Sequence, residues 1–129
     1  MQKPLFKPQT EWLPPEDFPD LSREKEIAID LETKDPHLNV ARGSGSVIGI
    51  GEVVGISLAT DVWSAYYPIA HEGGGNMDKK MVLKWFQEVL NTTADKIFHN
   101  AMYDVCWLRA MGLTIKGRII DTMISAALV

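Results

Sequence analysis

Two acidic residues follow an apolar run in the stretch IAIDLET, residues 27–33. Asp30 and Glu32 stand two positions apart, and alternate residues of a β-strand project from the same face of its sheet. Their carboxylates therefore repel each other unless a cation lies between them. Divalent cations that prefer oxygen ligands are suited to this position. The alternative is a solvated Asp-x-Glu pair on an exposed strand edge, and this stretch alone leaves both interpretations open.

A third acid lies in the stretch HNAMYDVCWL, residues 99–108. Asn100 is suited to cap the N-terminus of a helix, and Asp104 is the only acid in that otherwise apolar helix. An unpaired buried carboxylate costs on the order of several kcal/mol or stays protonated, whereas a metal site would hold it ionised. Alternatively, Asp104 pairs with Arg109 or interacts with the helix N-terminus.

The elements that must position these acids follow from the spacing of apolar residues. Alternation predicts strands, and apolar residues at helical spacing predict helices. The predicted strands are 26–32, one long strand over 47–61, its hairpin partner 62–70, 96–99 and 118–121, and a loop is predicted over 35–46. The predicted helices are 78–91, 100–112 and 122–129. In the first of these helices Asp78 is the predicted N-cap, and Trp85 and Phe86 are predicted to lie in the core. A three-strand meander followed by helix, strand, helix and strand is typical of a mixed α/β sheet.

Composition narrows the classes of protein. The formal net charge of −4 argues against a basic duplex-binding module, but not against an enzyme whose metal ions supply positive charge. No apolar run approaches the roughly 18 residues of a membrane span, and the N-terminus lacks the features of a secretory signal. The single cysteine, Cys106, indicates a reducing, cytoplasmic compartment. Residues 1–22 contain five prolines and are predicted to be an extended arm or linker before a domain over 23–129.

Four motifs, in their order and separations, carry a resemblance to a known family. AIDLET, YYPIAH, HNAMYD and IIDTM together resemble the proofreading 3′–5′ exonuclease domain of family A, polymerase I-like, DNA polymerases, over roughly residues 26–129. The resemblance implies a ribonuclease H-like fold, an antiparallel three-strand meander plus parallel strands with flanking helices. It also implies hydrolysis of single-stranded DNA 3′ ends with two divalent cations, Mg²⁺ or Mn²⁺, and a polymerase domain in the same or a companion chain.

The resemblance also assigns roles to individual residues. It implies that Asp30 bridges the two metals, that Glu32 is a ligand of one metal, and that Asp104 stands at the other. Thr33 and Asn100 match positions that line the nucleotide site. Asp30, Glu32 and Asp104 are therefore the expected catalytic and metal-binding residues, and Thr33 and Asn100 the expected substrate-binding residues.

One motif of the family is missing from the sequence. The family carries a Tyr or His followed four residues later by Asp, but the only acid downstream of Asp104 is Asp121, and Gly117 stands four residues before it. Asp121 instead matches the DTM segment and is interpreted as structural. We therefore expect a C-terminally incomplete exonuclease domain with weak or no activity. The alternatives are a ribonuclease D-like 3′–5′ exoribonuclease and a catalytically incomplete binding or structural remnant.

Overall fold

The computed structural model describes residues 12–36, 38 and 43–127, and the side chains through residue 124. The predicted loop over 35–46 lies partly outside the described residues, as do residues 1–11 of the predicted arm and the last two residues of the predicted C-terminal helix. The elements are β1 (Glu26–Lys34), α1 (Gly45–Ile48), β2 (Glu52–Ala59), β3 (Ser64–Pro68), α2 (Lys79–Leu90), β4 (Asp95–Phe98), α3 (Ala101–Ala110), β5 (Ile119–Asp121) and α4 (Thr122–Ala127).

The five strands form one mixed sheet in the order β3-β2-β1-β4-β5. β1, β2 and β3 pair antiparallel as a meander, whereas β4 pairs parallel with β1 and β5 pairs parallel with β4. The predicted mixed sheet with flanking helices is therefore confirmed, and the arrangement is consistent with a ribonuclease H-like fold. Within the part of the chain that the structure describes, no helix has the length and apolar character that crossing a membrane requires.

The central strand β1 separates core residues from site residues by simple alternation. Its apolar side chains Ile27, Ile29 and Leu31 are buried, whereas Asp30 and Glu32 are exposed on the opposite face. The two acids therefore share a face, as the period of a strand requires.

Helix α2 covers the buried face and confirms the predicted start signal. The Asp78 side chain accepts a hydrogen bond from the Met81 backbone N–H at 3.1 Å, which satisfies one of the unpaired donors of the first turn. Trp85 and Phe86 are buried in the same cluster as the apolar side chains of β1. Met81, which has helical spacing with these residues, is instead 57% exposed.

Residues 12–22 form no helix or strand, but part of this segment belongs to the core. The Phe18 ring packs on Tyr67 and Trp85, with ring centroids 5.7 and 5.4 Å apart, and the Trp85 indole N–H donates to the Pro19 carbonyl oxygen at 2.9 Å. Leu21 is buried. Apolar contact therefore attaches this segment to the sheet, and the division into an arm and a domain after residue 22 stays a prediction.

The predicted long strand over 47–61 is wrong in its first third. Residues 45–48 form the single turn α1, and β2 begins only at Glu52. Gly49 and Gly51 adopt φ of 76° and 93°, a region that other residues rarely enter. A Cβ on Gly51 would also lie 2.1 Å from the Lys34 carbonyl oxygen, so the chain can pass the end of β1 this closely only with glycine.

Candidate active site

The site lies where β1 continues beyond its parallel neighbour. β4 pairs with β1 only from Glu26 to Ala28, so Asp30 and Glu32 follow the last paired residue. The chain leaves β4 at Phe98 and turns at once into α3, which carries Asp104. Clefts outside the carboxyl ends of parallel strands are common ligand sites in open α/β sheets.

Asp104 is buried beside the negative charge of Asp30. Only 3% of Asp104 is exposed, and burial, together with the smaller effect of the Asp30 charge, raises the pKa of its carboxyl to about 7. A hydrogen bond from the Leu31 backbone N–H lowers the pKa and only partly opposes this rise. The Oδ2 atom finds no hydrogen-bond partner among the described residues. The predicted alternative, a pair with Arg109, is not formed: Arg109 is exposed, and the ion pairs of the described residues join Lys34 to Glu72 and Arg118 to Asp95.

The chemistry of this pair fits a divalent cation. The charge of Asp30 disfavours the ionised form of the buried Asp104, and a cation with oxygen ligands removes that penalty. The unpartnered Oδ2 of Asp104 provides a ligand atom that no protein donor occupies.

Glu32 lies on the same face of β1 but toward the neighbouring strands. It pairs in register with Gly55, and its charge adds to burial in raising the pKa of the Tyr66 hydroxyl. Among the described residues, no group of three or more His, Cys, Asp or Glu side chains is gathered closely enough to hold a metal ion. The structure therefore brings Asp30 and Asp104 together and leaves Glu32 outside a common cluster.

A comparison with known families bears on this arrangement. A family model described as 3′–5′ exonuclease matches residues 10–129. The chain belongs to the 3′–5′ exonuclease family of family A DNA polymerases. A DNA-directed DNA polymerase of Pseudomonas phage M6 is 33% identical over 118 residues, which cover 88% of this chain and 18% of that polymerase. The chain thus spans less than a fifth of the length of this relative, and the resemblance inferred from the four motifs is confirmed.

The N-terminus of α3 in this exonuclease domain is capped differently from the prediction. Asn100 precedes the helix with φ of 64°, and its side chain makes no capping hydrogen bond. Instead, the Asp121 carboxylate at the end of β5 accepts from the backbone N–H groups of Asn100 and Ala101 at 3.1 and 3.0 Å. An acid at a helix N-terminus is favourable, so Asp121 stabilises α3 from a neighbouring strand. The exposed Asn100 side chain makes none of these contacts.

Thr33, the second expected substrate-binding residue, is joined to α3. Its hydroxyl oxygen lies 2.8 Å from the Tyr103 hydroxyl oxygen, and Tyr103 donates to the Asp35 carboxylate at 2.9 Å. Sequence reasoning gave no role to Tyr103 or Asp35. The available signal was adjacency, because Tyr103 precedes Asp104 and Thr33 follows Glu32 in two motifs of the exonuclease family.

The face of the sheet that carries Asp30 opens into a cleft of about 830 Å³. The Tyr66 ring, which lies in this cleft, crosses Gly55, where an added Cβ would lie 1.8 Å from the Tyr66 hydroxyl oxygen. That hydroxyl bonds to the His71 ring, and His71 is fixed in turn by Asn76 through reciprocal hydrogen bonds of 2.7 and 2.8 Å. The cleft of the exonuclease domain therefore has an ordered wall on its β3 side.

Proposed function

We propose that this chain removes nucleotides from the 3′ ends of single-stranded DNA in a metal-dependent reaction, as the proofreading exonuclease of a DNA polymerase. The observation that carries the proposal is the buried Asp104 carboxylate, whose Oδ2 has no partner among the described residues and which lies beside Asp30. Membership in the 3′–5′ exonuclease family supports the reaction class. Asp30, Glu32 and Asp104 would hold two divalent cations, Mg²⁺ or Mn²⁺.

The residues of the candidate site have separate proposed roles in the reaction. When bound, a pair of divalent cations supplies an activated water nucleophile and stabilises the leaving 3′-oxygen. Asp30 presents a carboxylate in the cleft, and the buried Asp104 of α3 offers an Oδ2 atom that no donor among the described residues occupies. The exposed Asn100 side chain and Thr33, which follows Glu32 in β1, are the proposed nucleotide-binding residues.

Similarity to a DNA polymerase suggests the partner of this domain. A DNA-directed DNA polymerase is similar to this chain over a small part of its own length, so we propose that the domain works with a polymerase domain in the same or a companion chain. The single cysteine supports a reducing, cytoplasmic compartment.

Calorimetric titration with Mn²⁺ tests the site. We expect the wild-type chain to bind Mn²⁺ and Asp30→Ala to lose that binding while it stays folded, because removal of one clustered negative charge relieves repulsion. Asp61→Ala is the matched control, since it removes the same charge from an exposed position between β2 and β3. Equal Mn²⁺ affinity in wild type and Asp30→Ala would contradict the assignment. Digestion of single-stranded DNA and RNA of the same sequence distinguishes the proposed activity from a ribonuclease D-like one.

A further inference from the structure

A chain of hydrogen bonds through the Tyr103 hydroxyl joins both sides of the candidate site. Tyr103 immediately precedes Asp104 on α3, and its hydroxyl contacts Thr33 at 2.8 Å and Asp35 at 2.9 Å. A carboxylate can only accept hydrogen bonds, so the Tyr103 proton points to Asp35 and the Thr33 hydroxyl donates to the Tyr103 oxygen. The direction of every bond in the chain from Thr33 to Asp35 is thereby fixed.

These bonds act where the backbone ladder gives β1 the least support. β4 no longer pairs with β1 beyond Ala28, and the register with β2 shifts between Glu32 and Thr33. A register shift of this kind bends a strand and re-aims its side chains. Beyond Ala28 the backbone of β1 pairs with β2 alone, and the hydrogen bond between Thr33 and Tyr103 joins this end of the strand to α3.

Both ends of this chain of bonds are anchored. The Tyr103 ring packs edge-on against Trp107, with centroids 6.5 Å apart, and Trp107 is 4% exposed. At the other end, both Asp35 oxygens accept from the Gly45 backbone N–H, at 2.9 and 3.1 Å. A Cβ on Gly45 would lie 2.8 Å from the Asp35 carboxylate and 1.8 Å from the Ile50 carbonyl oxygen, so this approach requires glycine. The Tyr103 hydroxyl is thus a fixed point between two packed segments.

We infer that Tyr103 is a positioning residue whose hydroxyl, through Thr33, holds Asp104 on α3 in register with Asp30 on β1. The inference rests on the proposed function, because register matters only if the two carboxylates serve the same cation. Loss of the hydroxyl removes the Thr33 and Asp35 hydrogen bonds to α3 and leaves the bond from the Leu31 backbone N–H to Asp104 in place. Misplacement of a reacting group by about 1 Å is enough to cost roughly a hundredfold in rate.

Tyr103→Phe tests this inference, with Tyr67→Phe as the matched control. The Tyr67 hydroxyl donates to the Asp17 carbonyl oxygen at 3.3 Å, so the control also removes one hydroxyl that bonds to another segment of the chain. For Tyr103→Phe we expect Mn²⁺ affinity to fall about tenfold, while affinity for a fluorescent single-stranded oligonucleotide at saturating Mn²⁺ stays within about twofold of wild type. Tyr67→Phe should keep wild-type Mn²⁺ affinity.

A double variant separates positioning from general destabilisation. Thr33→Val removes the other hydroxyl of the same bond and should lower Mn²⁺ affinity similarly, and the double variant with Tyr103→Phe should lose little more. Wild-type Mn²⁺ affinity in Tyr103→Phe, alongside lost binding in Asp30→Ala, would overturn the inference and leave the proposed function intact. Weaker oligonucleotide binding with unchanged Mn²⁺ affinity would overturn it in favour of a substrate contact. Absence of Asp30-dependent binding in the wild type would overturn the proposed function and this inference together.

Discussion

At the scale of single residues, Asp104 combines deep burial with a neighbouring negative charge. Burial and the Asp30 charge raise the pKa of Asp104 from 3.8 to about 7. Between these two pH values the Asp104 carboxyl keeps its proton in the folded chain and loses it in the unfolded chain. The folded state then binds more protons than the unfolded state between these values, and stability falls as the pH rises through this range. The contribution is fully present below about pH 4 and is lost as the pH passes about 7.

Asp104→Asn should therefore make the chain more stable than wild type at pH 8 in EDTA, by about 1–3 kcal/mol, and the difference should shrink at pH 5. The amide cannot ionise, so the pH-dependent penalty disappears. Urea denaturation at the two pH values measures the effect, with Asp61→Asn as an exposed control. A large loss of stability in Asp104→Asn at pH 8 would mean instead that a structural partner holds the ionised carboxylate.

Local residue patterns place Asp30 and Glu32 on one face, whereas only the family resemblance implied that Asp104 lies near them. A strand period of two is local, so it places Asp30 and Glu32 on one face without knowledge of the fold. The proximity of Asp30 to Asp104 depends on where α3 lies relative to β1 after a separate strand, and no short-range pattern specifies it. The Thr33–Tyr103 hydrogen bond joins residues 70 positions apart and is hidden for the same reason.

At the scale of elements, the N-terminus of α3 depends on a distant side chain. Asp121 on β5 accepts from the backbone N–H groups of Asn100, Ala101 and Met123, whereas the Asn100 side chain caps nothing. Asn100 occupies the predicted N-cap position, but it takes a left-handed conformation and its side chain makes no capping bond. A carboxylate from β5 satisfies the helix donors instead. In α2, where Asp78 precedes the helix in extended conformation, the predicted side-chain cap is confirmed.

Asp121→Ala should lower the melting temperature by roughly a few degrees, because the donors at the start of α3 lose their acceptor. Asn100→Gly is the matched control and should leave the melting temperature nearly unchanged, since glycine adopts positive φ readily and no capping bond is lost. Thermal unfolding followed by circular dichroism measures both variants. Equal losses in the two variants, or a larger loss in Asn100→Gly, would show that Asp121 does not cap α3.

At the scale of the whole molecule, Asp30 and Glu32 lie on an open face of the mixed sheet, and α2 covers the opposite face. The buried side chains of β1 and α2 form one cluster, while Asp30 faces the cleft of about 830 Å³. A net charge of −4 gives such a cleft little attraction for a nucleic acid by itself, so bound cations would supply the positive charge. Binding of single-stranded DNA and binding of metal are therefore expected to be coupled.

The 129-residue polypeptide is expected to digest single-stranded DNA slowly. Asp121, the only acid downstream of Asp104, already accepts hydrogen bonds from three backbone N–H groups and is thus occupied as a structural residue. Within residues 1–129 the proposed site has Asp30, Glu32 and Asp104 as its acids, and the Tyr- or His-x-x-x-Asp motif that the family resemblance leads us to expect does not occur in these residues. We predict very slow digestion of 5′-labelled single-stranded DNA with Mg²⁺ and a modest gain with Mn²⁺, because a poorly held pair of ions positions the attacking water badly.

A longer polypeptide that adds such a motif should digest DNA rapidly, and Asp30→Ala should abolish that activity. Rapid, Asp30-dependent digestion by residues 1–129 alone would contradict this account, since three acids would then suffice for the reaction.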